Sequence, residues 1–165
     1  MDAERIFARY GAVMLRHAQL ILRSGAQAED AVQEALVRIL RLNPRLADER
    51  HELAWALAVT GNICRDMLRK QKRRHEVALP DWFDAPDLSG TPEEEAEQRE
   101  RDRKLVRAVM ALPEKYREAV LLVYYHELTG SQAADALGIT AVAFRSRLMR
   151  ARDLLRRMLG EEVEL

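Results

Sequence analysis

The stretch from Ser131 to Arg157 carries the side chains of this sequence that are best suited to contact DNA. A short apolar segment leads to Gly138, and a longer segment rich in arginine follows. Six arginines and one aspartate lie between Arg145 and Arg157, a local charge of +5. Arginine can bind a guanine edge through two hydrogen bonds or neutralise phosphates. The order of short helix, glycine turn and basic helix predicts a helix-turn-helix whose second helix enters a DNA major groove.

A helical wheel divides the second helix of this motif into two faces. One face is apolar and is expected to pack on the domain core: Phe144, Leu148, Ala151, Leu155, Met158 and Leu159. The opposite face holds the candidate base-contacting residues and two further charges: Arg145, Ser146, Met149, Arg150, Asp153 and Arg157. A solvated basic surface is the alternative interpretation. The glycine turn and the short preceding helix favour DNA recognition.

Composition predicts an all-α fold. Charged residues make up 33% of the 165 residues, apolar residues 48%, and there are only seven glycines, which suits a helical protein. The apolar runs are too short for a transmembrane helix and the charged N-terminus does not resemble a signal peptide. We therefore expect a cytoplasmic protein without membrane insertion. The single cysteine, Cys64, excludes an internal disulfide and is expected to be buried and unreactive.

The formal net charge is zero, but the charges are unevenly distributed. Residues 1–79 hold 14 Lys/Arg against 10 Asp/Glu, whereas residues 80–104 hold 4 against 9. Residues 79–92 contain three prolines and no helical period, so they are predicted to form a flexible linker. The predicted organisation is two small helical domains, 1–78 and 93–165, joined by this linker.

Three helices are predicted in the first domain, at about 3–23, 28–42 and 52–74. The second of them has a predicted buried stripe formed by Val32, Ala35, Leu36, Ile39 and Leu40. Its outward face holds Asp30, Gln33, Glu34, Val37, Arg38 and Arg41. Val37 is apolar among polar neighbours, which indicates a protein contact surface. A plain solvated face is the alternative.

The third predicted helix has a polar stripe on one side. Its inward side chains are expected to be Leu53, Ala56, Leu57, Thr60, Cys64, Met67 and Leu68. The polar stripe consists of Asn62, Arg65, Asp66, Arg69 and Arg73, beside the basic residue Lys70. Basic residues at a helix C-terminus also stabilise the helix dipole, which is the alternative explanation. In the functional interpretation the cations follow phosphates, while Asn62 and Asp66 hydrogen-bond to bases.

Several segments together resemble one known family. Ala28–Ala35, Trp55–Asn62 and Asp66–Lys70 resemble region 2 of a bacterial extracytoplasmic-function (ECF) sigma factor of the sigma-70 family. Ala111–Val120 and the helix-turn-helix, with Arg145–Arg152, resemble region 4 of the same family. The resemblance covers nearly the whole chain, in order and at matching spacing.

The resemblance implies a protein that binds core RNA polymerase, directs it to a promoter and helps to open the duplex. It implies contacts with the −35 element by Arg145, Ser146, Met149 and Arg150. For the −10 element and DNA melting it implies Asn62, Arg65, Asp66, Arg69, Lys70 and Arg73. The loop from about Pro44 to Glu52 would help to hold a flipped base.

The resemblance also implies the protein partners. The face formed by Asp30, Gln33, Glu34 and Val37 would dock on the clamp helices of the largest polymerase subunits. A further contact with the polymerase flap and an anti-sigma factor are expected as well.

No catalytic site, metal site or cofactor is expected from the sequence. The four histidines, His17, His51, His75 and His126, are scattered, and there is no Gly-rich phosphate loop. Two other classes of function stay open. One is a helix-turn-helix regulator that binds DNA alone, with the N-terminal half as a dimerisation or sensor module. The other is a sigma-like mimic that sequesters a regulator.

Overall fold

The computed structural model describes residues 3–42, 49–71 and 92–160. Within these ranges the chain forms seven α-helices and one π-helical turn, and no strand. They are α1 Ala3–Leu22, α2 Gly25–Leu42, α3 Glu49–Gln71, α4 Pro92–Ala111, α5 Glu114–Val120, the π-helical turn Leu121–Tyr125, α6 Gly130–Leu137 and α7 Ala141–Leu159. The predicted all-α fold is confirmed. The predicted linker lies outside the described residues, except for Pro92, which begins α4.

Helix α2 begins three residues earlier than the sequence predicted. Its first turn is capped by Ser24, whose hydroxyl accepts a hydrogen bond from the Gln27 backbone N–H at 3.3 Å. A serine at this position satisfies a backbone donor that the helix itself leaves without a partner. Gly25 therefore lies inside the helix rather than in the preceding turn.

Helix α3 also begins earlier than predicted, because α1 holds its first turn. Arg5 Nη2 lies 2.7 Å from Glu52 Oε1, and Arg9 forms an ion pair with Glu49. Residues 49–52, predicted to belong to a base-binding loop, are therefore helical. The rest of that loop, from Pro44 to 48, lies outside the described residues.

Helices α1, α2 and α3 enclose one hydrophobic core. Its buried members are Ile6, Tyr10, Met14, Ala18, Ile21, Leu22, Ala28, Ala31, Val32, Ala35, Ile39, Ala56, Val59, Ile63 and Cys64. The predicted stripe of α2 is buried or half-buried except at Leu40, which is 49% exposed. The prediction for Leu40 is wrong because the true stripe is centred nearer Ala28 and Ala31, which leaves Leu40 at its edge.

A second hydrophobic core joins α4, α5, α6 and α7. The inward face predicted for α7 is confirmed for Phe144, Leu148, Ala151 and Leu155, which are all buried. Met158 is 45% exposed, so the prediction for it is wrong. It lies in the last turn of α7 at the edge of the apolar face, where Leu159 is only half-buried.

The two halves of the chain pack directly against each other. Leu57 of α3 is a buried member of the second core, together with Phe144 of α7. Leu20 of α1 packs with Met110 of α4 and Leu121 of the π-helical turn in a third buried cluster. The sequence predicted two domains and a linker, and the contact between the halves was not among its predictions. No helix in the described ranges is both long enough and apolar enough to span a bilayer.

Candidate nucleic-acid interface

The helix-turn-helix is built by two capped helices and one left-handed glycine. Thr129 caps α6 by accepting from the Gln132 N–H at 3.1 Å, and the Gln132 side chain accepts from the Thr129 N–H at 3.0 Å. Gly138 ends α6 with φ 67° and ψ 32°, a conformation that other residues adopt at a cost. Thr140 then caps α7 by accepting from the Ala143 N–H at 3.1 Å. These local contacts fix the start of α7 relative to α6.

The four candidate −35 residues lie on the exposed face of α7. Arg145, Ser146, Met149 and Arg150 are all exposed, opposite the buried Phe144 face. Met149 is 60% exposed, so its thioether is accessible to a ligand. The arrangement can therefore present two guanidinium groups, a hydroxyl and a thioether to base edges or phosphates.

Arg150 is contacted by a tyrosine from the neighbouring helix. Hydrogen bonding to Arg150 is the main reason that the pKa of Tyr116 lies below its ordinary value. The ammonium of Lys115 lies 4.9 Å from the centre of the same ring. Further along α7, Arg152 Nε donates to the Tyr124 hydroxyl at 2.6 Å. Tyrosines of α5 and the π-helical turn thus limit the freedom of two arginines of α7.

The polar stripe of α3 is mostly accessible. Asn62, Arg69 and Lys70 are exposed and Asp66 is half-buried, with Arg69 Nη1 lying 3.5 Å from Asp66 Oδ1. The carboxamide oxygen of Asn62 accepts a hydrogen bond from Arg65, which leaves its NH₂ group as a donor for a base. Arg73 lies outside the described residues.

Arg65 differs from the rest of this stripe because it is engaged by the other half of the chain. Its Nη1 forms an ion pair with Glu118 of α5, and its side chain is only 18% exposed. Sequence analysis predicted Arg65 as a contact for DNA. In this arrangement its guanidinium instead bridges Asn62 and Glu118.

The candidate polymerase-binding face of α2 is exposed. Asp30, Gln33, Glu34 and Val37 are all accessible, and Arg38 Nη2 lies 2.6 Å from Glu34 Oε1. The apolar part of this surface is larger than the sequence predicted, because Leu40, three residues after Val37, is also exposed. Exposed apolar groups of this kind are typical of protein contact surfaces.

Sequence reasoning missed a group of polar residues buried between the two halves. His17 Nδ1 and His126 Nε2 lie 2.9 Å apart, although 109 positions separate them in the chain. Glu118 is 2% exposed, and its Oε1 lies 3.9 Å from His17 Nε2. Arg117 is buried too. The available sign was Gly61 in the interior of α3, because glycine destabilises a helix there and its presence indicates a packing reason, such as the close approach of another group.

Burial controls the protonation of these groups. It lowers the pKa of His17 well below its ordinary value and that of His126 to about 4. Burial raises the pKa of Glu118, while the Arg65 guanidinium acts in the opposite direction. It also raises the pKa of Cys64 to about 12, so the predicted buried thiol is confirmed. In residues 3–42, 49–71 and 92–160, no three His, Cys, Asp or Glu side chains are grouped to hold a metal ion.

Comparison with known proteins identifies the family of this chain. Residues 6–74 match the family "Sigma-70 region 2", and residues 102–155 match "Sigma-70, region 4". The ECF RNA polymerase sigma factor SigL of Mycobacterium tuberculosis is 32% identical over 161 residues, covering 94% of this chain and 88% of SigL. The probable RNA polymerase sigma factor RfaY of Xanthomonas campestris is 36% identical over 139 residues, covering 82% of this chain but only 35% of RfaY.

Solved structures agree on the fold. The sigma factor RpoE of Bartonella quintana, solved with the anti-sigma factor NepR, superposes with a TM-score of 0.71 at 19% identity, covering 97% of this chain and 98% of RpoE. CnrH, solved with the cytosolic domain of CnrY, has a TM-score of 0.64 at 20% identity, covering 98% of this chain and 89% of CnrH. The two matching sigma-70 regions define the class, which is that of promoter-recognition factors. This chain belongs to the ECF sigma factors of the sigma-70 family.

Proposed function

We propose that this chain binds core RNA polymerase through α2, contacts a −35 element through α7 and contacts a melted −10 element through the polar stripe of α3. The observation that carries the proposal is the outward face of α7. Arg145, Ser146, Met149 and Arg150 are exposed on a helix whose start is fixed by the Gly138 turn and the Thr140 cap. Prepositioned donors of this kind read base edges in a major groove.

For the −10 element the proposal relies on Asn62. Its free NH₂ group can donate to an extruded base, and Arg69 and Lys70 can neutralise the neighbouring phosphates. Extruding a base costs on the order of a few kcal/mol, which contacts of this kind must offset. Arg73, which lies outside the described residues, is proposed for the same role from the sequence.

The proposed partners are core RNA polymerase, promoter DNA and an anti-sigma factor. The exposed apolar groups Val37 and Leu40, with the polar residues Asp30 and Gln33, support a protein contact on α2. The anti-sigma factor is proposed from the solved complex of RpoE with NepR. RNA synthesis belongs to the polymerase in the cytoplasm, and this chain contributes recognition rather than catalysis.

Transcription of genomic DNA by core polymerase, with and without this protein, tests the proposal. Sequencing the 5′ ends should reveal new start sites that share one −35 and one −10 motif. The control is a variant with both Arg145→Ala and Arg150→Ala, which should lose those starts. If no new start appears while the protein alone binds duplex DNA tightly, the chain is an independent regulator. If it binds DNA in neither context, it is a sigma-like mimic.

A further inference from the structure

Glu118 is a buried carboxylate that reaches from one half of the chain into the other. It lies on α5, yet it pairs with Arg65 of α3 and approaches His17 of α1. Gly61 makes room for it, because a Cβ at that position would lie 2.6 Å from Glu118 Oε1. A glycine inside a helix, placed where a carboxylate from another segment must fit, indicates a contact built for this partner.

The preceding residue, Arg117, makes a second connection between the halves. Its Nη2 donates to the Ile21 carbonyl of α1 at 2.9 Å. Its Nη1 lies 3.3 Å from the Met110 and Leu112 carbonyls near the end of α4. Arg117 thus satisfies carbonyl groups that helix ends leave without partners, on both sides of the interface.

The interface is specific because its polar groups are buried together. The contact between His17 and His126 lies beside the Arg65–Glu118 pair, and the apolar cluster of Leu20, Met110 and Leu121 lies on the same interface. A buried ion pair adds little net stability, but separating its partners inside the protein is expensive. The halves therefore fit in one arrangement, and they must separate widely before water can solvate these groups.

The closed arrangement conflicts with promoter binding. Helix α3, which carries Asn62, packs on α6, and α6 packs on α7, which carries Arg145, so the two helices belong to one compact unit with a shared hydrophobic core. DNA advances about 35 Å per helical turn, and the −35 and −10 elements lie roughly two turns apart. The closed chain cannot contact both elements at once. It also keeps the Arg65 guanidinium on Glu118 instead of on DNA.

We propose that Arg117 and Glu118 form an intramolecular latch that holds the free protein in an autoinhibited, closed state. The latch occupies Arg65 and keeps α3 and α7 too close together for a promoter. An event that separates the two halves, such as docking on polymerase, would release Arg65 and allow the two helices to move apart. This inference rests on the proposed function, because it assumes that the polar stripe of α3 contacts DNA.

The test uses Gly61→Ala as a wedge and Gly25→Ala as its matched control. The new methyl group at position 61 collides with Glu118, whereas a Cβ at Gly25 meets nothing within 4 Å. Spin labels on the exposed positions Ala26 of α2 and Lys104 of α4, each replaced by cysteine, report the separation of the halves. The buried Cys64 should remain unlabelled because its pKa is raised to about 12.

Two readouts are measured on the full chain without polymerase. The wild type and Gly25→Ala should give one short label distance, and Gly61→Ala a longer and broader one. Affinity for a fluorescent single-stranded DNA of random sequence should rise about tenfold or more in Gly61→Ala, as the competent fraction increases. Glu118→Gln keeps the shape of the side chain but removes its charge, and it should act in the same direction. This second variant keeps the test valid if the wedge variant does not fold.

Two outcomes would overturn the latch. One is a wild-type distance already as long as that of the folded wedge or Glu118→Gln variant. The other is a chain that opens in these variants without any gain in affinity for DNA. The proposed function is judged separately by the transcription assay. If that assay fails while both readouts behave as expected, the latch is a device that controls DNA binding in a protein of another function.

Discussion

Among the outward arginines of α7, Arg150 is the one that Tyr116 contacts. The hydrogen bond to Tyr116 restricts its guanidinium, which favours a defined contact with one base. Arg150→Ala should therefore weaken −35 binding by about 1–3 kcal/mol, and by an amount that depends on the base pair. The measurement is binding of the holoenzyme to promoters with each base pair at the affected position. Tyr116→Phe should give a smaller loss of the same pattern.

Arg157→Ala is the control for this prediction. Arg157 is exposed in the last turn of α7, so its loss should reduce binding slightly and uniformly across sequences. If Arg150→Ala also reduces binding uniformly, Arg150 contacts only the phosphate backbone.

Asn62 should determine discrimination at the −10 element. Replacing Asn62 with Ala removes the carboxamide donor, so transcription from promoters with different −10 bases should become more equal while polymerase binding is retained. Both are measured in one series, by transcript yield and by holoenzyme formation. Lys70→Ala, which removes an exposed charge, should instead lower the transcript yield from all promoters by a similar factor. Equal loss of polymerase binding and discrimination in Asn62→Ala would rule out this role.

At the scale of single residues, the sequence predicted which side chains of a helix are exposed better than it predicted which other side chains they contact. The exposed face of α7 followed from helical periodicity, because its alternation with the buried Phe144 face is local. The partner of Arg65 could not be predicted, since Glu118 is 53 positions away and only tertiary packing brings the two together. An arginine in a polar stripe has the same local pattern whether it contacts DNA or another helix.

At the scale of elements, the turn between α6 and α7 depends on Gly138. Its φ of 67° is unfavourable for a residue with a Cβ, so Gly138→Ala should lower the free energy of unfolding by about 1–2 kcal/mol. Urea unfolding monitored by circular dichroism measures the change. Gly25→Ala is the matched control: its φ is ordinary and its Cβ has space, so it should be neutral or stabilise by about 0.4–1 kcal/mol. Similar losses in both variants would mean that the turn conformation is not decisive.

The helix-turn-helix was predictable because its determinants are short-range. A left-handed glycine and the Thr140 cap lie within a few residues of the helices that they limit. The start of α3 was not predictable, because the first turn of α3 is held by Arg5 of α1, which is distant in the sequence. The prediction that Leu40 is buried was wrong for another reason. A residue at the edge of an apolar stripe is buried only if a neighbouring element covers it, and helical periodicity gives no information about neighbouring elements.

At the scale of the whole molecule, the sequence predicted two helical halves but not their contact. The interface contains residues that belong to no local sequence motif, such as His17 on α1 and His126 after the π-helical turn. Their meeting depends on the packing of every helix between them. A cleft of about 420 Å³, lined by Ala12, Val13, Arg16, Leu53, Tyr125 and His126, lies at the same junction.

The buried histidines make closure of the molecule sensitive to acid. Both His17 and His126 have a pKa lowered by burial, so both are neutral in the closed form and bind protons more readily once the halves separate. Closure is therefore fully favoured above the ordinary pKa near 6.5 and weakens as the pH falls below it. Each histidine contributes about 1.4 kcal/mol per pH unit below that value, or about 2–3 kcal/mol together at pH 5.5. Glu118 has the opposite effect, because its raised pKa favours the closed form in acid. It is a single group, however, whereas two histidines favour the open form.

The distance between labels at Ala26 and Lys104, measured at pH 7.5 and pH 5.5, checks this balance. The groups that face the two histidines are Arg65 from α3, Glu118 from α5 and Tyr125, which lies edge-on to His126. The only carboxylate among these groups, Glu118, is already paired with Arg65. It is therefore not expected to stabilise a protonated histidine in the closed form, so the wild type should open at pH 5.5. Gly61→Ala, already open, should show little change between the two pH values. An unchanged wild-type distance would mean that protonation of Glu118, or a proton shared between the imidazoles, compensates for the loss.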